Sequence, residues 1–173
     1  FYFIMLTNKP SCFGNAIIWG YLPDDFPSVV LGVREYRERP RKEFIEPESM
    51  PALKKALEKI PNSCHREGIL FLLYTGLRSS EARLLTWDQI NFNQEFLEIT
   101  DTKNGSDHLL PLSSHCIELL RRMQSKKRLG NPYVFPGTLP GKPVSSFGKA
   151  WRKVRAAAGL PRIRLHDLRR TAG

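Results

Sequence analysis

Cysteine is scarce: Cys12, Cys64 and Cys116 are the three in a chain of 173 residues. An odd count gives no closed disulfide framework and favours a reducing compartment. Cys64-His65 and His115-Cys116 are adjacent pairs, and no C-x-x-C or H-x-x-x-H spacing occurs. Neighbouring side chains rarely both reach one ion, so no metal site is expected. Long hydrophobic runs are also missing. The opening "FYFIML" is six residues long, far short of a membrane span, and lacks the basic start of a signal peptide. Internal repeats and low-complexity tracts are absent. The chain does not begin with Met, which predicts that it is a piece of something longer at this end.

Acidic residues are unevenly scarce. Residues 1–100 carry 12 Lys/Arg against 13 Asp/Glu, whereas residues 101–173 carry 15 against 4. The whole excess behind the net charge of +10 lies in the C-terminal part. Charge gathered in this way predicts a face for a polyanion rather than a generally basic surface. Apolar residues at 41% and charged residues at 25% are ordinary for a globular protein. The length suits one domain with part of another.

What is present begins with a short helix expected around Ala16 to Gly20. "REYRERPRKEFIEPE" alternates its charges around Pro40 and Pro47 and reads as a linker, placing a domain boundary near residue 40. In "EPESMPALKKALEKIP", Leu53, Ala56, Leu57 and Ile60 share one helical face. "REGILFLLYTG" predicts a buried helix closed by Gly76, with Tyr74 in the core. Ser79 is then the expected cap of a helix over "SEARLLTW".

"QINF", "FLEIT" and "HLLPL" follow as short β-prone runs, the last two joined through Asn104-Gly105, a strong hairpin signal. Helical spacing returns in "SSHCIELLRRMQSKKR". It returns again in "SSFGKAWRKVRAAAGLP", with an apolar stripe of Phe147, Ala150, Trp151, Val154 and Ala158. The fold class expected is α+β, mostly α, with a small three-stranded antiparallel sheet.

Within "RIRLHDLRRT", residues 162–171, four arginines and one histidine surround a single carboxylate, Asp167. If "HDLRRT" opens a helix, His166 and Arg169 share a face and can converge on one phosphate. Arginine supplies a planar fork of donors, and histidine can donate or exchange a proton. Arg78 in "YTGLRSSEARLLTW" starts a helix behind Gly76, where Glu81, three residues on, can orient it. Lys103 beside Asn104-Gly105 can swing from a hairpin tip into a neighbouring site, and that tip is expected to be more mobile than Arg78 or His166.

Together, "TGLRSSEARLLTW", the three-strand segment with Lys103 in its second turn, "NPYVFP" and "HDLRRT" resemble the tyrosine recombinase family of phage-type integrases. The resemblance covers about residues 41–173. It implies a core-binding-domain remnant over 1–36, a linker and entrance over 37–47, and a catalytic domain over 48–173. It also implies DNA cleavage by a tyrosine through a 3′-phosphotyrosyl link. Arg78 and Arg169 would hold the non-bridging oxygens, His166 would assist proton transfer, Lys103 would protonate the leaving oxygen, and Glu81 would support Arg78. The guanidinium pair replaces a cation, so neither metal nor cofactor is expected.

The implied partner is double-stranded DNA, with no membrane. Arg121, Arg122, Lys126 and Lys127 are candidate contacts, as are Lys149, Arg152, Arg162, Arg164 and Arg170. The family pattern continues beyond its H-x-x-R to the nucleophile, whereas Tyr2, Tyr21, Tyr36, Tyr74 and Tyr133 all precede His166. The chain is therefore expected to be an inactive, monomeric piece of a protein that oligomerises on DNA. A cytoplasmic, nucleoid-associated protein of bacterial or phage origin is implied. Other readings are a DNA-binding or decoy module that keeps the pocket, and a type IB topoisomerase relative, whose hairpin and "HDLRRT" context would match less well. An unrelated basic nucleic-acid-binding protein would leave the order of the motifs unexplained.

Overall fold

A computed structural model describes residues 15–26, 42–61, 63–99, 108–127 and 129–172. The chain divides into two units, Phe1–Arg41 and Lys42–Gly173. In the first, a helical turn over 15–18 runs into Gly20, whose φ of +73° only glycine adopts readily. The rest of the anticipated remnant and residues 37–41 of the linker lie outside the described residues.

The second unit is built from six helices and one sheet among its described residues. A 3₁₀ turn, Pro47–Ser49, leads into α1 (Met50–Glu58), which buries Leu53, Ala56 and Leu57 as their spacing predicts. Helix α2 (Ser63–Thr75) is the central helix, contacting α3 (Ser79–Leu84), α4 (Ser114–Gln124), α5 (Gly148–Ala157) and α6 (Leu168–Thr171). Phe71 is fully buried and Gly68 faces the Phe147 ring. A Cβ on residue 68 would overlap that ring, so the glycine is what lets Phe147 reach α2. Phe147 stands edge-on to Phe135 at 5.6 Å, and Phe135 tilts against Phe71 at 5.5 Å. This aromatic stack, with Trp151 beside it in the same cluster, forms the core.

The three strands appear where alternation places them, as β1 (Ile90–Asn91), β2 (Phe96–Ile99) and β3 (His108–Pro111), in the order β1-β2-β3. Both pairings are antiparallel, with Ile90 opposite Leu97 and Leu97 opposite Leu110. Leu97 and Ile99 turn inward while Glu98 stays exposed, the period of two that fixes register. Residues 100–107, which hold Lys103 and the Asn104-Gly105 pair, lie outside the described residues. Helix α4 is capped by Ser113, whose hydroxyl accepts from the Cys116 N–H at 3.4 Å. Burial pushes the Cys116 thiol up to about 11, against the lowering bond from Ser113.

Three expectations are corrected. Tyr74 is 40% exposed rather than core, although it belongs to an unbroken apolar run. Four residues of run cover a full helical turn, so one of them must leave the core side. Tyr74 does so, and its ring sits 6.0 Å from that of His115. Ser79 is the first residue of α3, and Arg78 occupies the cap position in extended conformation (φ −66°, ψ 145°). The third is that α3 stops at Leu84 and does not reach Trp87. The Val134 N–H donates to the Leu85 carbonyl, the Trp87 N–H donates to the Pro132 carbonyl, and Thr86 bridges Tyr133. Pairing with "NPYVFP" draws these residues out of the helix.

Candidate active site

The end of α2 sets the first half of the site. Gly76, at φ +64°, closes the helix with its N–H on the Leu72 carbonyl. Two residues later Arg78 is held twice by Glu81. Its backbone N–H donates to Glu81 Oε2 at 2.8 Å, and its guanidinium Nη1 donates to Oε1 at 2.6 Å. One carboxylate thus fixes both ends of the arginine, and 40% of the Arg78 side chain remains open to solvent. It borders a groove of about 700 Å³ between α3 and β2, which also holds Asp88, Gln89 and Glu98.

Helix α6 brings the second half. A Cβ on Gly76 would stand 3.3 Å from Ala172 Cβ, 3.6 Å from the Arg169 carbonyl oxygen and 3.8 Å from Arg169 Cγ. The bare face of the glycine is therefore where α6 lies against the end of α2. This places Arg169 close enough for its charge to act on Glu81. Burial alone would raise the Glu81 carboxyl. The bonds from the Arg78 side chain and backbone, the Arg78 charge and then the Arg169 charge outweigh that, holding it below the ordinary value. Two like-charged guanidiniums repel, and a single carboxylate offsets only part of that repulsion. The arrangement leaves two positive charges with one carboxylate between them.

His166 is exposed in the 3₁₀ turn Leu165–Asp167 that opens α6, one turn before Arg169. The side chains of His166 and Arg169 make no hydrogen bond or ion pair with another described residue, leaving their donors open. Asp167, the lone carboxylate of this stretch, is 3% exposed, and its Oδ2 accepts the Arg164 N–H at 2.8 Å. Its spacing from Arg164 repeats that of Glu81 from Arg78, the i, i+3 signature of a carboxylate reaching back to a helix-start amide. Upstream, the Ile163 carbonyl accepts from Trp151 Nε1 at 3.2 Å and from Arg155 Nη1 at 3.1 Å, so α5 pins the approach to the turn.

Of the candidate DNA contacts, Arg121, Lys126, Lys149, Arg152, Arg162, Arg164 and Arg170 are exposed. Lys127 lies over the Trp87 ring, 5.9 Å from its centroid. Arg122 is engaged within the protein, by Glu67 at 3.3 Å and by Glu118 at 3.4 Å. Glu67 is 6% exposed and also receives Arg66 at 3.3 Å. Among the described residues, no group of His, Cys, Asp and Glu gathers as a metal site, and no helix is long and apolar enough to cross a membrane.

Glu81 gives a pH test. Its folded-state pKa lies below the unfolded value, so its contribution is present above the ordinary carboxylate range and is lost as pH falls through the depressed value. Stability of the parent chain should therefore drop on acidification below about pH 4.5 more steeply than that of Glu81→Gln. Parallel acid-unfolding curves for the two chains would contradict this.

The phage integrase family profile matches residues 43–173, which contain every element of the site. A putative integrase/recombinase of Haemophilus influenzae is 32% identical over 114 residues, covering 65% of this chain and 30% of that protein. The tyrosine recombinase XerA of Pyrococcus furiosus is 31% identical over 112 residues, covering 60% of this chain and 39% of the relative. The chain thus spans a third or so of the curated relatives it matches. Among solved structures, a lambda integrase dimer bound to a COC′ core site superposes with a TM-score of 0.71 at 19% identity, covering 98% of this chain and 63% of that one. The lambda integrase catalytic core gives 0.61 at 20% identity, covering 75% and 80%. That fold is mostly helical with the same small antiparallel sheet. A profile running unbroken from the entrance of the second unit through "HDLRRT" leaves one assignment: the chain belongs to the phage integrase family.

Proposed function

We propose that this chain supplies the phosphate-handling part of a tyrosine-type site-specific DNA recombinase. The observation that carries the reading is the approach of Arg169 to the Arg78–Glu81 pair across the bare face of Gly76. In strand cleavage a tyrosine oxygen attacks phosphorus, the 5′ oxygen leaves, and negative charge grows on the two non-bridging oxygens. Arg78 and Arg169 are assigned to meet that charge with their donors. His166 supplies a further donor at the same helix start. Lys103 is assigned the proton delivered to the leaving oxygen. The attacking tyrosine is assigned to none of the five in this chain.

The domain reading accompanies this: a core-binding remnant over 1–36, an entrance over 37–47 and the catalytic unit from 48 onward. In recombination the protein would act in several copies on DNA, while the 173-residue chain is taken as monomeric. Association with the nucleoid follows from the same DNA-directed charge.

The test is salt dependence. Residues 101–173 carry 15 Lys/Arg against 4 Asp/Glu, and most of the candidate contacts among them are exposed. Duplex DNA should bind weakly at physiological salt and much more tightly at low salt. Each neutralised phosphate releases about one counterion, giving a log-log slope of several units. An affinity indifferent to salt would sink the proposal.

A further inference from the structure

We propose that Thr171 is a positioning residue for Arg169, tying the short helix that carries the arginine to the segment by which the chain enters the second unit. The proposal rests on the phosphate-binding reading above and extends it to a residue that touches no substrate. Helix α6 is four residues long, Leu168–Thr171. One turn of helix does not hold itself, because nucleation fixes several residues for a single hydrogen bond. Its position must come from tertiary ties.

Those ties can be named. Leu168 is 1% exposed and anchors the inner face. Ala172 rests against Gly76. A further tie is polar: the Ile45 N–H donates to Thr171 Oγ1 at 3.0 Å, across 126 residues of sequence. The same hydroxyl donates back to the Asp167 carbonyl oxygen at 3.4 Å. It is thus acceptor to one segment and donor to the other, which serine can reproduce and valine cannot. Ile45 is itself 2% exposed, so its N–H would be left without a partner if the hydroxyl were removed. Arg169 lies between the two residues that this hydroxyl joins, Asp167 and Thr171. Arg169 is exposed and forms no ion pair with another described residue, so its aim depends on the backbone of that one turn.

The experiment uses the full 173-residue chain with inorganic phosphate as the probe. Binding is followed at the Nε–H resonances of Arg78 and Arg169, and thermal unfolding is measured in parallel. Thr171→Val is expected to weaken phosphate binding about fivefold, the scale of one hydrogen bond, while Thr171→Ser stays within about twofold of the parent. The Ile45 amide should lose exchange protection in the valine variant alone. A merely structural threonine would lower the unfolding temperature and leave phosphate affinity unchanged, and that result overturns the proposal. Should the valine variant fail to fold, Thr171→Ala removes the same hydroxyl without added bulk and carries the same comparison. If Arg78→Gln and Arg169→Gln titrate like the parent, the phosphate site itself falls and this inference with it. If those two lose binding while Thr171→Val and Thr171→Ala keep it, only the inference falls.

Discussion

Trp151→Ala is expected to destabilise the second unit by about 3–5 kcal/mol, a large share of the roughly 5–15 kcal/mol that keeps a domain folded. Trp151 is 2% exposed in the centre of the stripe on α5, beside Phe147 and Val154. Its loss opens a large cavity between helices that have little freedom to close. It also removes one of the two donors to the Ile163 carbonyl. Trp151→Phe separates the contributions, keeping most of the apolar volume while leaving that carbonyl to Arg155. Denaturant unfolding of the three chains checks this. An alanine variant within about 1 kcal/mol of the parent would show that the stripe is not the core.

Arg78→Gln combined with Arg169→Gln should weaken binding of inorganic phosphate about a hundredfold. Hydrogen bonds to charged groups contribute about 1.5–3 kcal/mol each, and the solvent exposure of both arginines argues for the lower figure. Each single substitution should cost about tenfold, and both should act on the same titration only if the two arginines bind one anion. Calorimetric titration of the four chains reads this directly. Loss of affinity confined to one arginine would mean that the two do not share a ligand.

The parts of this architecture visible in the sequence are those fixed by local spacing. Leu53, Ala56 and Leu57 declare α1 because helical periodicity brings them to one side, and Leu97 and Ile99 declare β2 by alternation. Arg78 and Glu81 can be paired on paper because three residues separate them. Partnerships across the chain are a different matter. Glu67 reads as a solvated carboxylate at the start of an apolar run, yet it is buried beneath Arg66 and an arginine 55 residues away. For the same reason Arg122 reads as a free basic residue. The Thr171–Ile45 bond has no local signature, since a backbone amide can partner any acceptor the fold presents. Tyr74 shows the converse difficulty: in an unbroken apolar run, periodicity carries no information about which side faces out.

Gly76 sets a condition on moving this chemistry elsewhere. Its positive φ turns the chain out of α2, and its missing side chain is the gap into which Arg169 and Ala172 fit. Turning the chain and spacing the two arginines are therefore inseparable properties of one atom's absence. A designer who transplanted Arg78, Glu81, His166 and Arg169 onto another scaffold would copy the charges without their separation. The smallest portable unit includes the glycine and the two helix ends that meet over it.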